Sequence, residues 1–100
     1  MIEISVSANA DTEEVKLIGR LDVKAAKEVD ASFMEIAEKG MDVVLDLSEL
    51  EYIASAGLRA LKRLRGGVRE YGKSLTVKNV QDDVMEVLEM TGFAAMLDFE

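Results

Sequence analysis

The chain has 100 residues, 49% hydrophobic and 32% charged, with 20 acidic against 12 basic residues for a formal net charge of −8. That length holds one compact domain with a real core, expected to run over residues 1–100, and the acidic excess gives no general attraction for nucleic acid or an anionic membrane. Cysteine and histidine are both absent, which excludes disulfides, cysteine nucleophiles, the Ser-His-Asp triad and nearly every zinc site.

Ile2 to Ala8 alternates, with Ile2, Ile4, Val6 and Ala8 on one side. Period two with β-branched residues predicts a strand. Asn9 to Thr12 has turn chemistry. Val15 to Leu21 is a second alternating strand, paired with the first as a hairpin. After Asp22, the apolar positions Val23, Ala25, Ala26, Val29, Phe33, Ile36 and Ala37 recur at three and four, a helix stripe. Asp22 stands at its N-cap and Gly40 at its C′ position.

Met41 to Leu47 is nearly all apolar, which predicts a buried strand. Ser48 to Ala54 reads as a loop in which Leu50, Tyr52 and Ile53 pack. Ser55 opens a second helix, with Leu58, Leu61, Leu64 and Val68 inward and Gly72 at its end. Within it, Gly66-Gly67 reads as a kink or a close packing contact. Ser74 to Val77 is a further strand. Val80 to Met90 is a third helix, stopped by Gly92, and Phe93 to Phe99 is a tail docking as a short helix or strand. Strands alternating with helices imply parallel crossovers in a mixed sheet, with short helices gathered mainly on one side.

The N-terminal MIEISVSANADTEE has neither the basic start nor the apolar run of a signal peptide. No apolar stretch approaches the roughly 18–20 residues of a membrane span. A soluble, cytoplasmic protein is the expectation.

Catalytic equipment is sparse. Asp46 ends a predicted strand without the neighbouring acidic pair that a phosphate-receiving metal site needs, so it reads as a carboxylate bonding loop amides. There is no Walker loop and no G-x-G-x-x-G. Six of the 12 basic residues fall between Arg59 and Lys73: Arg59, Lys62, Arg63, Arg65, Arg69 and Lys73. They read first as a solvated helix face, then as a surface for an acidic partner. The run Tyr52-Ile53-Ala54-Ser55-Ala56-Gly57-Leu58-Arg59 is the sharpest local feature. Ser55 alone reads as an N-cap. Its small neighbours, though, leave first-turn amides open to an oxyanion carried on Ser55.

Asp46-Leu47-Ser48, the run Tyr52 to Leu58 and the earlier Gly19-Arg20-Leu21-Asp22 together resemble the STAS domain of bacterial anti-sigma factor antagonists. The resemblance covers nearly the whole chain and implies the STAS fold. It implies a binding module, not an enzyme, with no cofactor or metal of its own. It further implies that Ser55 is phosphorylated by an anti-sigma factor that is itself a serine kinase using ATP. The unphosphorylated form captures that kinase and frees the sigma factor, and a serine phosphatase resets the switch. Partner contacts are expected at Asp22, Ala54, Ser55, Ala56, Gly57, Leu58 and Arg59, with acidic character from Asp22 and Asp46. Familiar members often carry Asp where this chain has Ala54. The alternative is a non-switching STAS scaffold subunit of a stress-sensing complex or lipid-transport assembly.

Overall fold

A computed structural model describes residues 2–100. The elements are β1 (Ile2–Asn9), β2 (Thr12–Leu21), α1 (Val23–Glu38), β3 (Asp42–Ile53), α2 (Ser55–Glu70), β4 (Leu75–Lys78), α3 (Asp82–Met90), a 3-10 turn (Phe93–Ala95) and β5 (Asp98–Phe99). The sheet order is β1-β2-β3-β4-β5. β1 pairs antiparallel with β2, and every later pairing is parallel. Each crossover steps in the same direction. Right-handed connections therefore set their helices on one side of the sheet.

The two sheet faces differ accordingly. Val15, Leu17 and Leu21 of β2, Val43, Leu45, Leu47, Leu50 and Ile53 of β3, and Leu75 and Val77 of β4 are buried in one continuous core with the helices. The opposite face carries charge. Lys16, Asp46 and Lys78 stand in register across β2, β3 and β4. Lys16 Nζ lies 3.2 Å from Glu49 Oε2, and Lys78 Nζ lies 3.2 Å from Glu14 Oε1. Half-exposed pairs of this kind stabilise little, about 0–1 kcal/mol each. Their main effect is to give an uncovered sheet face a solvated surface.

β3 departs most from expectation. It does not stop at Leu47 but continues to Ile53, so Ser48–Ile53 is strand and not loop. Its 12 residues run beside the 10 of β2 because the register slips twice, between Lys16 and Ile18 and between Gly19 and Arg20. At the first bulge Asp46 accepts a 2.9 Å hydrogen bond from the Ser48 amide. Gly19 sits at the second with φ of +112°, a conformation that side chains resist. Each extra residue flips the alternation. Inward residues then fall at Leu47, Leu50 and Ile53, and Tyr52 turns outward, 40% exposed rather than packed.

The helices follow their stripes closely. Asp22 caps α1, accepting from the Ala25 amide at 2.8 Å, and Gly40 and Gly72 take positive φ just past α1 and α2. α3 begins at Asp82, two residues later than its apolar pattern suggested. The tail forms both a 3-10 turn and a two-residue strand, anchored by buried Leu97. Gly66-Gly67 leaves α2 unbroken; a Cβ at Gly67 would lie 2.9 Å from the Ala37 Cβ, so the second glycine is the close contact between α1 and α2. One buried charge had no counterpart in the sequence pattern. Glu13 of β2 is 1% exposed and accepts a 2.8 Å bond from Lys39 Nζ, while its Oε1 has no partner among the described residues. Among the described residues no helix is long and apolar enough to cross a membrane.

Candidate functional site

β2 and β3 are parallel and end together, with Leu21 opposite Ile53. The Ala54 amide donates to the Leu21 carbonyl at 2.9 Å, extending the pairing by one bond. The next residues are therefore equivalent: Asp22 with Ala54, then Val23 with Ser55. Ser55 is thereby placed at the top of the sheet, beside the start of α1.

Ser55 is not the N-cap. Ala54 holds that position in extended backbone, with no side-chain bond to the helix, and Ser55 is the first helical residue. Helix α2 thus begins one residue earlier than a cap at Ser55 would place it. Ser55 is exposed. The first amide bonded inside the helix is that of Leu58, to the Ala54 carbonyl at 3.0 Å. Ahead of it lies a turn of donors with no side-chain cap and no acidic residue. Free donors at the positive end of a 16-residue helix favour an anion.

Gly57 has a different reason from the one its smallness suggested. It is buried, and a Cβ there would lie 2.8 Å from the Leu21 carbonyl oxygen and Cγ and 2.9 Å from Ile53 Cγ1. Glycine thus lets the first turn of α2 sit directly on the ends of β2 and β3. Leu58 is 3% exposed and points into the core. Ala56 is half-buried against it. Of the expected contact residues, Gly57 and Leu58 therefore shape the site from behind. Asp22, Ala54, Ser55, Ala56 and Arg59 remain at least partly accessible.

Three neighbours lie outside the expected contact set, although Arg20 and Tyr52 belong to its motifs. Val23 belongs to the apolar stripe of α1 yet is 59% exposed, because the first turn projects beyond the sheet. Tyr52 faces out just before the site, and the Arg20 guanidinium stacks 4.4 Å from its ring centroid. For Val23 the only hint in the sequence was its position beside Asp22.

The two aspartates separate. The Ala25 amide bond, aided by Arg20, holds the Asp22 carboxyl below its ordinary range. It is a permanent negative charge next to the Ser55 helix. Asp46 lies seven residues before Ile53, roughly 20 Å down the strand, and is 6% exposed. It contributes no acidity at Ser55. Burial works to raise its pKa, but the Ser48 amide and hydroxyl, Asn79 and Lys16 hold it low. Among the described residues no group of acidic side chains converges to hold a metal ion.

Comparison with known proteins places the fold and the family. A family model described as "Mlab, STAS domain" matches residues 4–98. The anti-sigma-B factor antagonist of Bacillus subtilis is 26% identical over 97 residues, covering 97% of this chain and 89% of that protein. An anti-sigma factor antagonist from Mycobacterium paratuberculosis superposes with a TM-score of 0.88 at 18% identity, covering 99% of this chain and 85% of that one. The Bacillus cell fate determinant SpoIIAA in its phosphorylated form superposes with a TM-score of 0.73 at 14% identity, covering 98% and 91%. The chain belongs to the STAS domain family, and the Bacillus subtilis relative that it matches along its length is an anti-sigma-B factor antagonist.

Proposed function

We propose that this chain is an anti-sigma factor antagonist of the cytoplasm, switched by phosphorylation of Ser55. The observation that carries the reading is the exposed Ser55 hydroxyl on a helix N-terminus with no side-chain cap. An anti-sigma factor acting as a serine kinase transfers the γ-phosphoryl group of ATP to Ser55 Oγ, releasing ADP. A serine phosphatase hydrolyses the ester and returns inorganic phosphate.

In the unphosphorylated state Asp22, Val23, Tyr52, Ala54, Ser55, Ala56 and Arg59 form the contact surface. A phosphate adds about −1.5 to −2 charge there. The α2 amides and Arg59, one turn on at i+4, receive it within this chain. A partner surface shaped for a neutral hydroxyl must instead desolvate a dianion beside Asp22. That penalty releases the partner while the fold stays intact.

The test is incubation with the anti-sigma factor kinase and ATP, read by mass spectrometry, together with calorimetric binding to the same kinase. One phosphate is expected on the wild type and none on Ser55→Ala. Ser55→Asp is expected to lose binding while keeping its circular dichroism. A phosphate that persists in Ser55→Ala, or undiminished binding by Ser55→Asp, overturns the proposal.

A further inference from the structure

A groove of about 570 Å³ runs between the C-terminal halves of α1 and α2, with Gly66 and Gly67 in its lining. Gly67 is explained by Ala37. Gly66 is not: a Cβ there would meet no atom within 4 Å. A mid-helix glycine costs about 1 kcal/mol relative to alanine, and nothing within the chain recovers that cost at Gly66. What the missing side chain leaves is open space. Phe33 and Leu64 form the floor, and Met34 (64% exposed) and Tyr71 (51%) stand at the rim.

The lining of this groove carries Asp30, Glu38 and Glu70 against the single cation Arg63. At the end nearer Ser55, Arg63 is bonded to Asp30 at 2.8 Å, so that cation is already matched. At the far end stand Glu38 and Glu70, the last residues of their helices. Among the described residues neither is in an ion pair. The nearby Lys39 is held by Glu13. Carboxylates are unfavourable at helix C-termini, where the dipole is already negative. Two of them, the end of α1, which has no basic residue in its last turn, and a tyrosine ring all favour a cation.

We infer that the α1–α2 groove is a docking site for a basic segment of a partner protein: an apolar side chain seats over Gly66 between Met34 and Tyr71, and an adjacent Arg or Lys pairs with Glu38 and Glu70. A second copy of this chain fits less well, because it carries a formal net charge of −8. The groove opens roughly 16 Å along α2 from Ser55. It is independent of the phosphorylation reading and takes the opposite charge from a phosphate site.

The probe is an acetylated, amidated peptide centred on Arg-Leu-Leu-Arg, with a Glu-Leu-Leu-Glu peptide as control, titrated into the 15N-labelled full chain at low salt. Saturable shifts are expected at the amides of residues 33–38 and 63–71 with the basic peptide alone. The double variant Glu38→Gln/Glu70→Gln is expected to bind about tenfold more weakly. Gly66→Leu, which fills the groove with a better helix former and keeps the fold, is expected to abolish the shifts. Ser55→Asp is expected to bind the peptide unchanged, which separates this site from the switch. Equal binding by Gly66→Leu, saturation at another surface, or no saturable shift overturns the inference. So does a concentration-dependent shift of the groove amides without peptide, which would assign the groove to a second copy.

Discussion

α1 and α2 start from equivalent places, each two residues past the last paired position of two parallel strands, yet their first turns are built oppositely. α1 is closed: Asp22 caps it and supplies the negative charge that its dipole favours. α2 is open: Ala54 offers no cap, and the first residue is a serine. Capping residues stabilise by about 0.5–2 kcal/mol over alanine, so α2 forgoes stability that its neighbour keeps. The difference teaches where an added anion has a place. Only the helix lacking its own carboxylate has donors free to receive one.

The largest expected effect breaks the packing that both helix starts share. Helix propensity alone says that Gly57→Ala stabilises α2 by about 1 kcal/mol. The contacts of 2.8 Å with Leu21 say the reverse. Overpacking against backbone dominates because a carbonyl in a strand cannot swing aside, so a net loss of about 1–3 kcal/mol is expected in urea unfolding. A stabilised Gly57→Ala would show that the helix start floats above the strands.

Next in size is the conversion of α2 into a copy of α1. Ala54→Asp supplies the missing cap and is expected to stabilise by about 1 kcal/mol in thermal unfolding. It also occupies the donors that a phosphate would use, so the further gain from phosphorylating Ser55 is expected to shrink. No gain from Ala54→Asp would mean that the α2 amides are not free. Ser55→Asp, with its carboxylate at the first helical position, is expected to stabilise by about 0.3–1 kcal/mol, a gain that salt screens away. A gain unchanged in high salt would remove the dipole from the explanation.

These helix starts also mark how far the sequence could be read. The stripes of α1 and α2, the Asp22 cap and the glycines past each helix were legible because their causes are local, within a turn of chain. β3 beyond Leu47 was not. Its two bulges exist only because ten residues of β2 lie beside twelve of β3, and they turn an alternating pattern into Leu47, Leu50 and Ile53, which reads as a loop. The same bulges turned Tyr52 outward. Glu13 was equally hidden, since the exposed lysine that reaches in to pair with it lies 26 positions away. Ser55 itself was found through a motif, while the reason for Gly57 needed Leu21 in place.

The finest test separates capping from charge at α1. Asparagine caps a helix about as well as aspartate but carries no charge. Asp22→Asn therefore keeps the geometry and removes only the titrating part. The Asp22 pKa is lowered in the folded state. Below an unfolded value of about 3.9, protonation of the unfolded chain outruns that of the folded protein. The carboxylate thus adds stability that is complete above that pH and is lost as pH falls through the folded value. Wild type is expected to exceed Asp22→Asn by a constant small margin near neutrality, and the margin is expected to close in acid, read from paired melting curves. A margin that stays flat into acid would mean that the charge is solvated and α1 is held by geometry alone. α1 and α2 would then differ only in a hydrogen bond, and the preference of the open helix for an anion would rest on its free amides without the dipole.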